Sequence, residues 1–176
     1  ISGALQASVV DLLYSTAYEM MDSGFFQGEV IEPISIKYLM EKKVSNLSGG
    51  ELQRVAITEC LSKEADIYLF DEPSAYLDSN QRMVAAKTIR RMMEKSGKSG
   101  MIVDHDIYFL DMVSDSIMVF DGTPGHEGIG EGPYEMREGM NKFLKAVDIT
   151  FRRDAESHRP RINKPDSRLD REQKSK

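Results

Sequence analysis

Cysteine is almost missing from this 176-residue chain. The single thiol, Cys60, excludes an internal disulfide and any cysteine-only metal cluster, and it fits a reducing compartment. No apolar run approaches the ~20 residues needed to span a bilayer. The opening residues, ISGALQASVV, have no basic stretch ahead of an apolar one, so they do not read as a secretory leader. They also lack an initiator Met, so the chain is expected to start inside a longer protein. Positive charge is scarce through most of the sequence. Residues 1–150 hold 14 Lys/Arg against 24 Asp/Glu, which makes that part a poor general nucleic-acid binder. The cations gather at the end, where residues 151–176 hold nine against five acids.

What is present suits a globular protein with a real core: 40% hydrophobic and 30% charged residues. Spaced apolar residues Val9, Leu12, Leu13 and Tyr14 predict a helix over LQASVVDLLYSTAYEMM, broken by SGFF. A second helix is expected from about Glu29 to Met40, with Pro33 limiting its early part. A third runs from Gly50 to Ser62, with Leu52, Ala56 and Cys60 at i+4 spacing and Val55 beside them. From Ala65 the pattern changes. DIYLF reads as a buried strand ending in Asp71-Glu72-Pro73. Asp78 with Gln81 is a capping-box pattern, opening a helix with Met83, Ala86, Ile89 and Met93 on one face and an end near Gly97. GMIVDH reads as a strand, DIYFLDMVS as a short helix and SIMVFDG as a third strand. This rhythm predicts a parallel α/β sheet. Gly122 to Gly132 reads as a connector loop, Tyr134 to Val147 as a helix, and the charged, proline-interrupted tail as an extended arm.

Two short stretches carry chemistry. IYLFDEP places acids at the C-terminal end of a strand, the edge where α/β sheets bind ligands. Asp71 there can hold Mg²⁺, and Glu72 can orient a water for attack on phosphorus. VSNLSGGELQRV sets Ser48, Gly49 and Gly50 at a helix start. The glycines allow a ligand close to the backbone, and the first free N–H groups and the helix dipole favour an anion. Yet the phosphate-cradling pattern G-x-x-x-x-G-K-[ST] occurs nowhere in the chain.

LSGGE, then a hydrophobic strand ending DE, then PSAYLD, then a strand ending DHD, is the order found in ABC-type ATPases, which the chain resembles. Ser48, Gly49, Gly50 and Glu51 match the signature. Asp71 and Glu72 match the Walker B aspartate and catalytic glutamate, Ser74, Ala75, Tyr76, Leu77 and Asp78 the D-loop, and His105 the switch histidine. LSGGELQRVAI, DEPSAYLD, GMNKFL and ITFRRD…RPRINK…DREQK together resemble the second nucleotide-binding domain of the RNase L inhibitor family, the ribosome-recycling ABC ATPases. The likeness covers essentially the whole chain. It implies an α/β fold: a partial P-loop NTPase domain with a helical signature subdomain (1–64), an α/β subdomain with half of the parallel sheet (65–148) and a C-terminal hinge arm (149–176).

The resemblance further implies a cytoplasmic, ATP-driven clamp that splits ribosomes after termination and stays on the small subunit. Its cofactors would be ATP and Mg²⁺. Its partners would be the other nucleotide-binding domain, the small ribosomal subunit and release or recycling factors, with no membrane partner. Iron–sulfur clusters of the family belong to a cysteine-rich N-terminal domain that this chain does not contain. The signature would serve an ATP held by the opposite domain, while Asp71, Glu72 and His105 serve a second ATP. Lacking the P-loop, this chain alone is expected to be inactive. Gln6 is not assigned to the family's Q-loop, and Asp104 stands where the family commonly has Glu, a change that keeps the charge. The rival readings are a transporter's ATPase subunit, an SMC- or Rad50-like repair ATPase, and a catalytically silent binding module. The first would lack the FRRD…RPR arm, and the second would need a coiled coil before the signature.

The other features read plainly. His126 and His158 are isolated and solvated, Cys60 is a small packed hydrophobe, and the methionine faces of 83–93 and 136–140 are filler. In the arm, Arg152, Arg153, Arg159, Arg161, Lys164 and Arg168 alternate with turn formers. Arg152, Arg153 and Arg161 are the candidates for contact with RNA or a domain seam.

Overall fold

The computed structural model describes residues 5–123, 125–146, 149–154 and 160–174. They fall into two compact units, Ile1–Val113 and Ser114–Lys176. Four sequence expectations land outside the described residues: His158, Arg159, the helix end at Val147 and the side chain of Arg153.

In the first unit, α1 (Val9–Met21) starts where Ser8 and Asp11 cap each other reciprocally, and it buries Val9, Leu13 and Met21. Ser23 caps a short α2 (Gly24–Phe26). The expected helix from Glu29 to Met40 does not form as one piece. Pro33 has no N–H to donate and Ser35 turns left-handed (φ 60°). The segment instead breaks into a π-turn over Gln27–Ile31 and a 3₁₀ turn over Ile36–Leu39. Both still bury Val30, Ile31, Ile36 and Leu39 in the core. Lys95 binds Glu29 of the π-turn at 2.6 Å.

α3 (Gly49–Ser62) follows, and its buried face is not the one the i+4 pattern named. Val55, Ile57, Thr58 and Leu61 are buried, whereas Leu52 and Ala56 face solvent. Cys60 is half-buried, and burial pushes its thiol pKa up, which suits an inert packed side chain. β1 (Ile67–Asp71) leads to α4 (Ser79–Ser96), which is capped by Asp78 and stopped by left-handed Gly97. β2 (Ser99–Val103) pairs with β1 in parallel register, Ile67 opposite Ser99 through Asp71 opposite Val103. α5 (Ile107–Val113) ends the unit. β1 was expected to be buried on both faces. Tyr68 and Phe70 do point into the core, but Ile67, Leu69, Met101 and Val103 leave the other face of the pair open and apolar. Parallel sheets are ordinarily covered on both faces.

The second unit corrects the sheet expected from the sequence. β3 (Ser116–Thr123) does not extend the parallel pair. It pairs antiparallel with β4 (Glu127–Glu135), the stretch read as a connector loop. Glycines at 128, 130 and 132 remove the side-chain alternation by which a strand is recognised, while leaving its backbone free to pair. α6 (Met136–Ala146) packs on this hairpin, with Gly139 resting on Ile117. The tail is also more ordered than an extended arm. β5 (Phe151–Arg153) and β6 (Pro160–Ile162) form a short antiparallel pair, followed by α7 (Arg168–Lys174). Asn163 is 2% exposed; its amide donates to Thr150 Oγ1 (3.0 Å) and Gln173 Oε1 (3.1 Å). Thr150 donates in turn to Asp170, whose other oxygen accepts from the Asp166 N–H at 2.9 Å. The Thr150 hydroxyl holds the Asp170 carboxyl below its ordinary pKa.

Candidate active site

The site residues of the first unit lie on three loops that each leave a regular element. The signature turn is built by capping. Ser48, in extended conformation, places its Oγ over the Glu51 N–H (3.4 Å), and the Glu51 carboxylate returns to the Ser48 N–H (2.9 Å). Lys42 binds the other Glu51 oxygen at 2.6 Å. That ammonium, with the Ser48 donors, holds the Glu51 pKa down to about 2. Glu51 is thus spent on shaping the turn. The N–H groups of Gly49 and Gly50, first in the helix, have no intrahelical acceptor and point outward at its positive end.

The second loop leaves β1. Asp71 ends the strand with its side chain exposed, and the Glu72 N–H makes one more bond to β2, to the Val103 carbonyl at 2.7 Å. Glu72 then takes φ 47°, a left-handed conformation that costs a non-glycine residue about 1–3 kcal/mol. That turn throws its carboxylate out to solvent beside the third loop, where His105 Nδ1 lies 3.7 Å from Glu72 Oε1. Two titratable groups that follow adjacent parallel strands thereby share one edge.

Ser74 to Asp78 runs from this edge to α4. Ser74 is 1% exposed; its N–H and hydroxyl both donate to the Asp104 carboxylate, at 3.0 and 2.8 Å. Asp104 also accepts from the Asp106 N–H at 2.8 Å. Asp106 caps α5 through the N–H groups of Tyr108 and Phe109 and pairs with Arg82 of α4 at 2.7 Å. His105 is therefore flanked by two anchored aspartates. Gln53 of α3 donates to the Glu72 carbonyl at 3.2 Å. Sequence reasoning gave no role to Gln53, Arg82 or Asp106 and discounted Asp104. Only Asp106 carried a usable signal, an acid directly before the apolar run of α5.

The arm candidates sit in the second unit. Arg152 donates to Asn163 Oδ1 at 3.0 Å, and Arg161 pairs with Asp154 at 3.1 Å. Arg153 lies in β5 opposite Pro160. Arg152 and Arg161 thus have structural partners, and both remain exposed. Among the described residues no helix is long and apolar enough to cross a membrane.

Comparison with known proteins agrees with this arrangement. A family model described as ABC transporter matches residues 20–75. The translation initiation factor rli1 of Schizosaccharomyces pombe is 50% identical over 153 residues, 87% of this chain and 26% of its own length. A structure titled RNase-L Inhibitor superposes with a TM-score of 0.88 at 49% identity, covering 97% of this chain and 33% of that one. The complex of archaeal ribosomal stalk protein aP1 and archaeal ribosome recycling factor aABCE1 matches with the same TM-score, identity and coverage. The chain spans between a quarter and a third of the length of these relatives, and its fold is that of an α/β ABC ATPase domain. Over nearly all of its residues it is a homologue of the RNase L inhibitor family of ABC ATPases.

Proposed function

We propose that this chain is the C-terminal part of the second nucleotide-binding domain of a cytoplasmic ATPase that closes on ATP to split ribosomes and stays on the small subunit. The observation that carries the reading is the shared edge. Glu72 and His105, just past the ends of neighbouring parallel strands, stand 3.7 Å apart, with Asp71 directly before Glu72 at the end of β1 and a capped signature turn in the same unit. The open apolar face of β1 and β2 supports it too, because further layers of an α/β ATPase core would cover that face. The division into signature subdomain (1–64), α/β subdomain (65–148) and hinge arm (149–176) belongs to the same proposal. Its partners are the opposite nucleotide-binding domain, the small subunit, and release or recycling factors.

The reaction is phosphoryl transfer from ATP to water. Glu72 orients the attacking water and takes up its proton. His105 donates to the γ-phosphate. Asp71 would hold Mg²⁺. Mg²⁺ is commonly held by one or two carboxylates, with phosphate oxygens and water completing its shell. An exposed carboxylate at a strand end fits that need, and among the described residues no group of three or more His, Cys, Asp or Glu side chains is placed to hold a metal ion without phosphate or water. Bound there, the ion would offset charge developing on the transferring phosphoryl group. The Gly49 and Gly50 N–H groups serve the ATP of the opposite domain, donating where charge accumulates.

Replacing Glu72 with Gln in the intact protein tests the reading. Gln cannot take up the proton, so turnover at the site beside Glu72 stops while ATP still binds there. Undiminished hydrolysis at that site, read with the opposite site disabled, refutes the assignment. The isolated chain is inactive on this reading, because the backbone cradle and lysine that bind phosphate are not in it. Calorimetry with Mg-ATP should find no site tighter than about 1 mM, roughly −4 kcal/mol. Micromolar binding by the pure chain overturns that part.

A further inference from the structure

Tyr76 sits in the middle of S-A-Y-L-D, the loop after β1. Its backbone stands at φ 60°, a conformation that a bulky side chain seldom takes. It is 80% exposed, so core packing does not hold it there. What it meets is the signature turn. A Cβ added to Gly49 would lie 3.2 Å from Cγ and Cδ1 of the Tyr76 ring and 3.3 Å from its Cβ. One added to Gly50 would lie 2.9 Å from the Tyr76 carbonyl oxygen and 3.3 Å from Gln81 Oε1. The ring thus rests on the bare backbone of Gly49, and the Tyr76 peptide closes over Gly50. A second strap lies one turn along α3. The Glu72 carbonyl that accepts from Gln53 also accepts from the Ala75 N–H at 3.0 Å, closing the first turn of the same loop.

We infer that Tyr76 is a positioning residue that locks the signature turn to the loop 72–78 of its own unit, and that Gly49 must be glycine for this packing as well as for ligand access. The signature donors and the Glu72 peptide then move as one body. With the ring removed, the turn keeps its cap but loses the contact that fixes where its N–H groups aim, and donors that must reorganise contribute less in a transition state. The effect on turnover rests on the ATPase reading; the contact itself does not.

The test is a double-mutant cycle in the intact protein carrying this chain, with Tyr76→Ala, Gly49→Ala and both together. Hydrogen exchange without nucleotide reads the Glu51 and Leu52 amides, which bond to Ser48 Oγ and to the Ser48 carbonyl. Steady-state hydrolysis reads kcat and KM separately. Gly49→Ala should lower kcat by roughly tenfold when Tyr76 is present, and by less than about threefold when it is Ala, since the two tight ring contacts at 3.2 Å have gone and only the 3.3 Å contact to Cβ remains. Exchange at Glu51 and Leu52 should follow the same pattern, and Tyr76→Phe, which keeps the ring, should recover most of what Tyr76→Ala loses. If Gly49→Ala costs the same in both backgrounds, the glycine serves ligand access alone and the inference is wrong. Glu72→Gln in parallel separates the two readings. If it leaves hydrolysis intact at its own site, with the opposite site disabled, the ATPase assignment fails, while the exchange cycle still decides the Tyr76 contact.

Discussion

Asp104 is the residue whose loss should be felt most sharply. The sequence marked it only as a charge-conserving departure next to His105, but its carboxylate accepts three hydrogen bonds. Two come from Ser74, which at 1% exposure has no water to turn to. The third comes from the Asp106 N–H. Replacing Asp104 with Ala removes every acceptor at once. A hydrogen bond to a charged group contributes about 1.5–3 kcal/mol net. The Ser74 amide should then exchange with solvent roughly 10- to 150-fold faster, because each 1.36 kcal/mol is a factor of ten. The Asp106 amide should follow, since it bonds to the same Oδ1 that receives the Ser74 hydroxyl. Asp104→Glu is the control, because it returns a carboxylate on a stem one methylene longer. The assay is amide exchange of the intact protein, read at Ser74 and Asp106 and at Ala86 in the middle of α4 as an internal reference. A change below about threefold at Ser74, with Ala86 steady, would mean that these bonds do not hold the loop. Acceleration at all three alike would mean that the substitution loosens the whole unit rather than this junction.

Three further outcomes are expected. In the intact protein, Ser48→Arg should block closure over the ATP of the opposite domain while Glu72→Gln stalls the site beside Glu72; single-turnover occupancy with each phosphate-binding loop disabled in turn reads the two sites apart, and impairment by Ser48→Arg of only the Glu72 site refutes the trans assignment. The Glu51 cap has a carboxyl pKa depressed from 4.5 to about 2, so its stabilisation is fully present above about pH 4.5 and is lost as pH falls through about 2; Lys42→Met should raise the Glu51 pKa, measured by NMR titration, and an unmoved value removes Lys42 as its cause. If the arm contacts RNA, small-subunit affinity should fall steeply with salt, and replacing Arg152, Arg153 and Arg161 with Ala should flatten that slope; an Arg161 single variant is needed beside the triple, because Arg152 also holds Asn163, and an unchanged slope in both leaves only the domain-seam version.

The candidate site residues were legible because each belongs to a contiguous motif that builds its own local structure. Asp78 with Gln81 is a reciprocal cap three residues apart that formed as read, and Ser48 with Glu51 forms a second that the sequence reading did not name. An apolar run ending in acids placed Asp71 and Glu72 at the end of a strand, and a second run did the same for His105. The failures have a different cause. Helix period and strand alternation report which side chains seek the core, and the Gly-rich β4 and the Pro33 segment have too few of them in pattern to be read that way. The i+4 row of Leu52, Ala56 and Cys60 had the period without the burial, because the packed face of α3 is turned toward Val55, Thr58 and Leu61.

The joins between motifs were invisible for a third reason. Ser74 to Asp104 spans 30 residues, Arg82 to Asp106 spans 24 and Gln53 to Glu72 spans 19, and all three are polar contacts without periodicity. The same holds for Thr150, Asn163, Asp170 and Gln173, whose network, centred on buried Asn163 and Asp170, ties together a tail that composition alone marks as extended. Buried polar networks of this kind specify geometry strongly only when every member is satisfied. A charged, proline-broken stretch can therefore order itself with little apolar surface, provided that a few amides, hydroxyls and carboxylates are placed to answer one another. Where such joins exist, the loops they connect cannot be varied independently. The signature, the loop 72–78 and the switch loop of this unit are bound to one another by Tyr76, Gln53 and Asp104, so a substitution in any one of the three should be read at the other two.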